Sequence, residues 1–195
     1  MAKGNEVLGI FKKSKALLTG HFLLSSGLHS PVYFEKFQVL KNPAYIQKLC
    51  KKLAALFKKE KVQLVIGPAT GGILLAFEVA KNLKTNFVFA ESENGQRVLK
   101  RGFEIKPGQR ILIVDDVLTT GGSVKEVINL VERHQGKIVG IGFILDRSGG
   151  KVTFSYPIKS LATVSAETYP PSNCPLCQKN LPLMKPGSRE VNGQQ

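Results

Sequence analysis

The chain has 195 residues, 43% of them hydrophobic, with 19 glycines and 28 Lys and Arg against 14 Asp and Glu, for a formal charge of +14. That length and apolar share exclude a disordered or fibrous chain and allow one domain with a modest appendage. No apolar run approaches the roughly 18 residues of a membrane span. The start "MAKGNEVLGIFKKSKALL" is broken by Lys12, Lys13 and Lys15, so it lacks a signal peptide's apolar stretch, and a cytoplasmic location is expected.

In chain order, Val7, Leu8, Ile10, Phe11, Leu17 and Leu18 predict a first helix with lysines on its other face. "LLSSGLHSP" breaks that pattern, and "VYFEKFQVL" reads as a short extended segment. Asn42 before Pro43 is a helix start, and Ile46, Leu49, Cys50, Leu53, Leu56 and Phe57 keep a helical period behind it. From residue 62 the rhythm becomes strand, glycine turn, helix. "VQLVIG", "NFVFA", "RILIVDD" and "KIVGIGFILD" are apolar strands, while "ILLAFEVAKNL" and "SVKEVINLVERHQG" are helices, the latter stopped by its glycine. Such alternation predicts an α/β fold whose central, mostly parallel sheet is flanked by helices. Segments 1–40, 41–168 and 169–195 divide as an N-terminal helix and hood, a core and a loosely wrapped tail. Ligands bind such sheets beyond the carboxyl ends of the strands. This makes 67–72, 90–102, 115–123 and 146–150 one connected rim.

The positive charge admits an anionic membrane, nucleic acid or a small polyanionic substrate. Its lysines are scattered in pairs ("FKKSK", "CKK", "FKKEK") as on the wet faces of helices, so charge alone decides nothing. Cys50 falls in a helical pattern as a small apolar residue. Cys174 and Cys177 in "CPLC" have the spacing of half a zinc site, but there is no second pair and no histidine nearby in the sequence. A dimer could unite two such pairs; a tight turn with two semi-buried thiols is the favoured expectation.

"ILIVDDVLTTGGS", residues 111–123, carries the chemistry. Adjacent carboxylates at a buried strand end repel each other unless something compensates them. Acceptors of this kind hold vicinal hydroxyls, as on a ribose, or a Mg²⁺ shell. The "TTGGS" behind them offers backbone N–H groups, hydroxyls and a helix N-terminus to a phosphate monoester. Together they describe a ribose 5-phosphate site. Neither G-x-x-x-x-G-K-[ST] nor a G-x-G-x-x-G turn opening a helix occurs, so the P-loop and dinucleotide folds are excluded. The histidines, His21, His29 and His134, sit in no nucleophile motif.

"ILIVDDVLTTGGS" resembles the phosphoribosyl pyrophosphate (PRPP) signature of type I phosphoribosyltransferases. "GHFLLSSGLHSPVYFEK" resembles the hood of the orotate phosphoribosyltransferases among them, "GPATGGI" their pyrophosphate loop, and "ILDRSGG" the segment after their fourth core strand. "YPPSNCPLC…PGSR" is similar to the tail of the branch typified by thermophilic bacterial enzymes. The resemblance implies the type I phosphoribosyltransferase fold with a small N-terminal hood. The implied reaction joins orotate and PRPP into orotidine 5-monophosphate and pyrophosphate, with Mg²⁺ carried on PRPP and Asp115 and Asp116 touching it at most through water. It also implies a cytoplasmic homodimer whose loop reaches the neighbouring site, and neither a membrane nor nucleic acid as partner. Asp115 and Asp116 would accept the ribose hydroxyls. Thr119, Thr120, Gly121, Gly122 and Ser123 would wrap the 5-phosphate, with Thr70 and Gly71 on the pyrophosphate. Thr119, Arg147, Ser26, Gly27, Tyr33 and Phe34 would hold orotate. Arg97, Lys100 and Arg101 of "ESENGQRVLKRG" would be the catalytic cations of a mobile loop, Lys100 foremost.

Plainer readings stand beside these: an ion pair of Arg147 with Asp146, hood aromatics as core, and a solvated hairpin for the loop. The chain also departs from many relatives, with Ser25 and Gly71 in place of lysines and Glu91 and Ser92 in place of basic residues. Its loop lacks a histidine. Rival functions are a purine phosphoribosyltransferase, for which the "SSGLHSP" hood and "ILDR" are less apt, and a non-catalytic nucleic-acid-binding regulator, for which no added module is evident.

Overall fold

The computed structural model describes residues 3–24, 26–165 and 167–185, so Ser25 and the "PGSR" stretch of the tail lie outside the described residues. Its main sheet is six-stranded, in the order β5-β4-β3-β6-β7-β8. These strands are β3 (Leu64–Pro68), β4 (Asn86–Glu93), β5 (Gln96–Val98), β6 (Arg110–Leu118), β7 (Lys137–Asp146) and β8 (Ile158–Thr163). All pairings are parallel except β4 with β5. In β6, Leu112 and Val114 enter one core cluster while Ile111 and Ile113 enter the other. The first cluster is completed by α1 (Lys3–Lys13), α3 (Pro43–Ala55) and α4 (Gly71–Leu83), the second by α5 (Gly122–Arg133). A strand covered on both faces has no polar side, which is why these strands read as continuous apolar runs.

Local signals set several boundaries. Asn42 caps α3 by accepting from the backbone N–H groups of Ala44 and Tyr45, at 3.0 and 3.3 Å. Behind it, Leu49, Cys50, Leu53 and Phe57 are fully buried. Phe57 packs where β7 has Gly140 and Gly142; a Cβ at Gly140 would stand 2.7 Å from its ring. The glycines there are a demand of packing.

The periodicity misled in four places. The first helix ends at Lys13, and Leu17 and Leu18 begin β1 (Leu17–Leu23), because Lys15 turns the chain with φ 54°. "VYFEKFQVL" splits between β2 (His29–Phe34) and a short helix, α2 (Phe37–Leu40), which buries Val39 and Leu40. After α5 the left-handed residue is Gln135, at φ 57°. Gly136 serves packing instead, since its Cβ would meet Ile111 at 2.6 Å. In the tail, the described residues up to Lys185 form α6 (Pro175–Gln178) and β9 (Leu183–Met184), and β9 completes a second sheet, β2-β1-β9. The hood sheet thus joins strands from both ends of the chain.

Replacing Phe57 by Ala would empty a ring-sized space between α3 and β7. Phe57→Ala is expected to cost about 3–5 kcal/mol in urea unfolding monitored by circular dichroism.

Candidate active site

Two carboxylates end β6, and alternation along the strand sends them to opposite faces. Asp115 Oδ1 accepts from its neighbour's backbone N–H at 2.8 Å. Burial, and next the charge of Asp116, push the Asp115 carboxyl well above the usual carboxylate range. Asp116 is 3% exposed. Its Oδ1 accepts from the Val117 N–H at 2.7 Å and from Lys36 Nζ at 3.0 Å. Lys36 Nζ also lies 2.9 Å from Oδ2, as an ion pair, and among the described residues the buried Oδ2 has no further donor. Burial works against the Lys36 charge, but the charge and hydrogen bond of Asp116 outweigh it and raise the Lys36 pKa.

The turn after β3 meets the same carboxylate. Gly71 opens α4 so close that a Cβ there would overlap Asp116 Oδ2. Glycine at this position lets the turn lie against that buried oxygen, and a lysine would require Asp116 to move. Thr70, joined to Ala69 by a cis peptide, is exposed beside it.

On the other side of β6, residues 119–123 form the turn into α5. Gly121 takes φ 79°, and a Cβ there would stand 2.7 Å from the Phe154 ring. No side chain caps α5, so its first N–H groups face the turn. Asp115, Thr119, Thr120, Gly121, Gly122 and Ser123 line one small cleft of about 50 Å³ there. A larger open groove of about 570 Å³ lies between α5 and residues 153–156. It lacks the strand-end acids and the helix N-terminus, so the small cleft is the better candidate.

Arg147 follows β7, its backbone N–H bonded to Leu118 O at 2.8 Å beside Thr119. Its guanidinium carbon lies 5.1 Å from the Phe34 ring centroid, and its buried Nε has no hydrogen-bond partner among the described residues. Burial lowers its pKa. The expected alternative, an ion pair with Asp146, is not formed; Asp146 Oδ1 accepts from Ser148 N–H and Oγ–H, both at 2.7 Å. The Tyr33 pKa is raised, first by burial and then by the Glu35 charge. Tyr33, Phe34, Arg147 and Lys36 form one cluster reaching Asp116. Ser26 and Gly27 are apart from it, exposed in the turn at the other end of the β1–β2 hairpin. Lys36, which closes the quoted hood segment, was given no role by the motif alone; only its 80-residue return to Asp116 reveals one.

The polar loop is a hairpin. Asn94 and Gly95, with φ 49° and 76°, turn β4 into β5, as an Asn-Gly pair between extended segments favours. That signal was present at residues 94 and 95 but lay outside any apolar pattern. Arg97 fastens the hairpin down: its Nε lies 3.0 Å from Glu126 and its Nη1 donates to Ala69 O at 3.2 Å. Lys100 pairs with Glu93 at 2.7 Å, and Arg101 with Glu91 at 3.0 Å. Hydrogen bonding to Glu93 raises the Lys100 pKa. Acids at 91 and 93 are thus local counter-charges for the loop's own cations.

The phosphoribosyl transferase domain matches residues 37–170, and the chain belongs to that family. An orotate phosphoribosyltransferase of Desulforamulus reducens is 52% identical over 186 residues, covering 95% of this chain and 97% of its own. The crystal structure of orotate phosphoribosyltransferase from Aeropyrum pernix has a TM-score of 0.69 at 25% identity, covering 81% of this chain and 93% of that one. That of adenine phosphoribosyltransferase from Thermoanaerobacter pseudethanolicus has a TM-score of 0.60, also at 25% identity, covering 68% and 88%. The fold therefore serves both pyrimidine and purine enzymes.

Asp115 yields a test of the buried acid pair. Its folded pKa is raised, so its contribution to stability is full below the unfolded value of about 3.9 and is lost as pH rises through the folded value. Without ligand, the melting temperature of the wild type should fall relative to Asp115→Asn between about pH 5 and 8. A constant difference across that range would remove the case for a raised carboxyl.

Proposed function

We propose that this chain is an orotate phosphoribosyltransferase that transfers ribose 5-phosphate from PRPP to orotate, releasing pyrophosphate. The observation that carries the reading is the Arg147 guanidinium over the Phe34 ring, its buried Nε without a partner among the described residues, with Lys36 two positions after Phe34 paired to the buried Asp116. A guanidinium fork against an aromatic face suits a planar, anionic pyrimidine. The acceptors at 115 and 116 suit the ribose hydroxyls, and the 119–123 turn suits the 5-phosphate.

In this reading a ring nitrogen of orotate forms a bond to the anomeric carbon as the bond from that carbon to the pyrophosphate oxygen breaks, the proton of that nitrogen passing to the departing pyrophosphate or to solvent. Asp115 and Asp116 hold the sugar by its hydroxyls and act as neither bases nor nucleophiles. Arg147, Tyr33 and Phe34 fix the ring, and Thr119 touches both halves. Positioning and electrostatics then suffice for catalysis. Mg²⁺ carried on PRPP would neutralise the leaving charge, and hard carboxylate oxygens at a strand end, one lacking a donor, fit it through water. Lys100 and Arg101 would leave Glu93 and Glu91 to meet the pyrophosphate as the hairpin moves, while Arg97 braces its base. Thr70 and Gly71 complete the pyrophosphate side. The protein works as a homodimer, each hairpin serving the neighbouring site.

Loss of orotate absorbance with PRPP and Mg²⁺ tests the reaction; persistence of orotate, or turnover of a purine base instead, would overturn it. Arg147→Ala should raise KM for orotate about 10- to 100-fold, the scale of a charged hydrogen bond, while KM for PRPP stays within about twofold. Lys100→Ala should cut kcat severely with little change in PRPP binding. At an orotate concentration well below the raised KM, where each variant alone is nearly silent, mixing Arg147→Ala and Lys100→Ala chains should recover up to about a quarter of wild-type activity if hairpins act across a two-fold dimer, and none if they act within one chain.

A further inference from the structure

Far from the strand-end rim, the fold assembles a second constellation. His21 and His29 are 2% and 5% exposed on β1 and β2, and Cys174 is 1% exposed at the start of α6, with Cys177 one turn on. One ligating atom from each of the four lies within 4.8 Å of the others. His21 Nε2 and His29 Nδ1 are 2.8 Å apart, and Cys177 Sγ is 3.3 Å from His29 Nδ1. Both Cys174 Sγ and Cys177 Sγ are 3.7 Å from His21 Nε2. A tetrahedral zinc with bonds of about 2.05 Å to nitrogen and 2.3 Å to sulfur has edges of about 3.3 to 3.8 Å, so the cluster needs only a slight expansion.

The surroundings are built for this. Pairing of β1 with β2 is irregular between Thr19 and Phe22, and that break in alternation lets His21 and Phe22 both be buried. His21 Nδ1 lies 2.8 Å from Leu181 O. A carbonyl can only accept, so Nδ1 carries the proton and Nε2 turns its lone pair inward, the arrangement of a metal-binding histidine. Tyr169 and His29 exchange backbone hydrogen bonds at 2.8 and 2.9 Å, which delivers the tail beside the hood. Pro175 then opens the single turn of α6 that carries Cys177 back toward Cys174.

The structure assigns His21, His29, Cys174 and Cys177 as a structural zinc site that staples the C-terminal tail to the hood. Two imidazoles and two thiolates select zinc over the oxygen-seeking cations of phosphate chemistry. Four protein ligands leave no open position, so the site is closed to substrate. Binding displaces the two thiol protons to solvent and ties residues 153 positions apart. "CPLC" is therefore not a half-site awaiting a second chain: its missing partners are histidines from the opposite end of the same chain. The staple fixes the sheet whose β2 strand presents Tyr33 and Phe34 to Arg147.

Protein purified without chelator should hold about one zinc per chain by mass spectrometry of the metal content. Replacement by Co²⁺ should give sulfur-to-metal absorption in the near ultraviolet and the intense visible bands of a tetrahedral ion. Cys174→Ser with Cys177→Ser should abolish both, whereas Cys50→Ser, whose thiol lies in the core, should keep them. Stripping zinc from the wild type should lower its melting temperature by more than about 5 °C, reversibly on adding zinc. Wild-type protein with no zinc, with iron instead, with a cobalt spectrum lacking sulfur bands, or with an internal Cys174–Cys177 disulfide would overturn the assignment. These readings are taken on the wild type, so they stand even if the double variant fails to fold.

Discussion

Lys36 and Asp116 hold the two halves of the candidate site together. A carboxylate 3% exposed at the end of a doubly covered strand is costly unless a cation accompanies it. That cation comes from the link between β2 and α2, so the pairing that stabilises the core strand also sets where the hood sits. Lys36 remains 38% exposed at its side chain, and solvent screening makes the pair more a locator than a large source of stability. Its geometry matters most: the oxygen left without a donor on Asp116 faces the turn that opens α4.

A division of charge organises the rim. Acids stand at the end of β6, where Lys36 of the hood pairs with Asp116 and the charges of Lys36 and Arg97 act on Asp115; Arg147 follows β7, and Lys100 and Arg101 belong to the β4–β5 hairpin. Lys100 and Arg101 carry counter-acids from their own hairpin, Glu93 and Glu91. Arg147 is held by an aromatic face instead. The hairpin pairs are exposed and cheap to exchange. Arg147 is instead partly desolvated, with its pKa lowered by burial.

Strands and helices of the core were legible because both signals are local. Continuous apolar runs mark strands buried on two faces, and Asn42 before Pro43 marks a helix start whatever surrounds it. Elements failed to show where the pattern depends on a distant neighbour. Half-buried β8 and exposed β9 gain their identity from pairing with β7 and β1. Leu17 and Leu18 suit a helix face or a strand equally until Lys15 turns the chain. Ser26 and Gly27 share a motif with Tyr33 and Phe34, yet the length of β2 carries the two pairs apart.

By itself, the sequence determined the strand, acid pair and glycine turn at 111–123, since acids, hydroxyls and glycines adjacent in the chain remain adjacent in the fold. It determined likewise the parallel α/β core, whose periodicity is written into each strand and helix. Only the tertiary structure decided that Lys36 returns to Asp116, that Arg147 stacks on Phe34 with a nitrogen left unpaired, and that two histidines of the hood meet two cysteines of the tail. Each of those contacts joins residues far apart along the chain, and no local pattern of residues encodes a distance that folding alone closes.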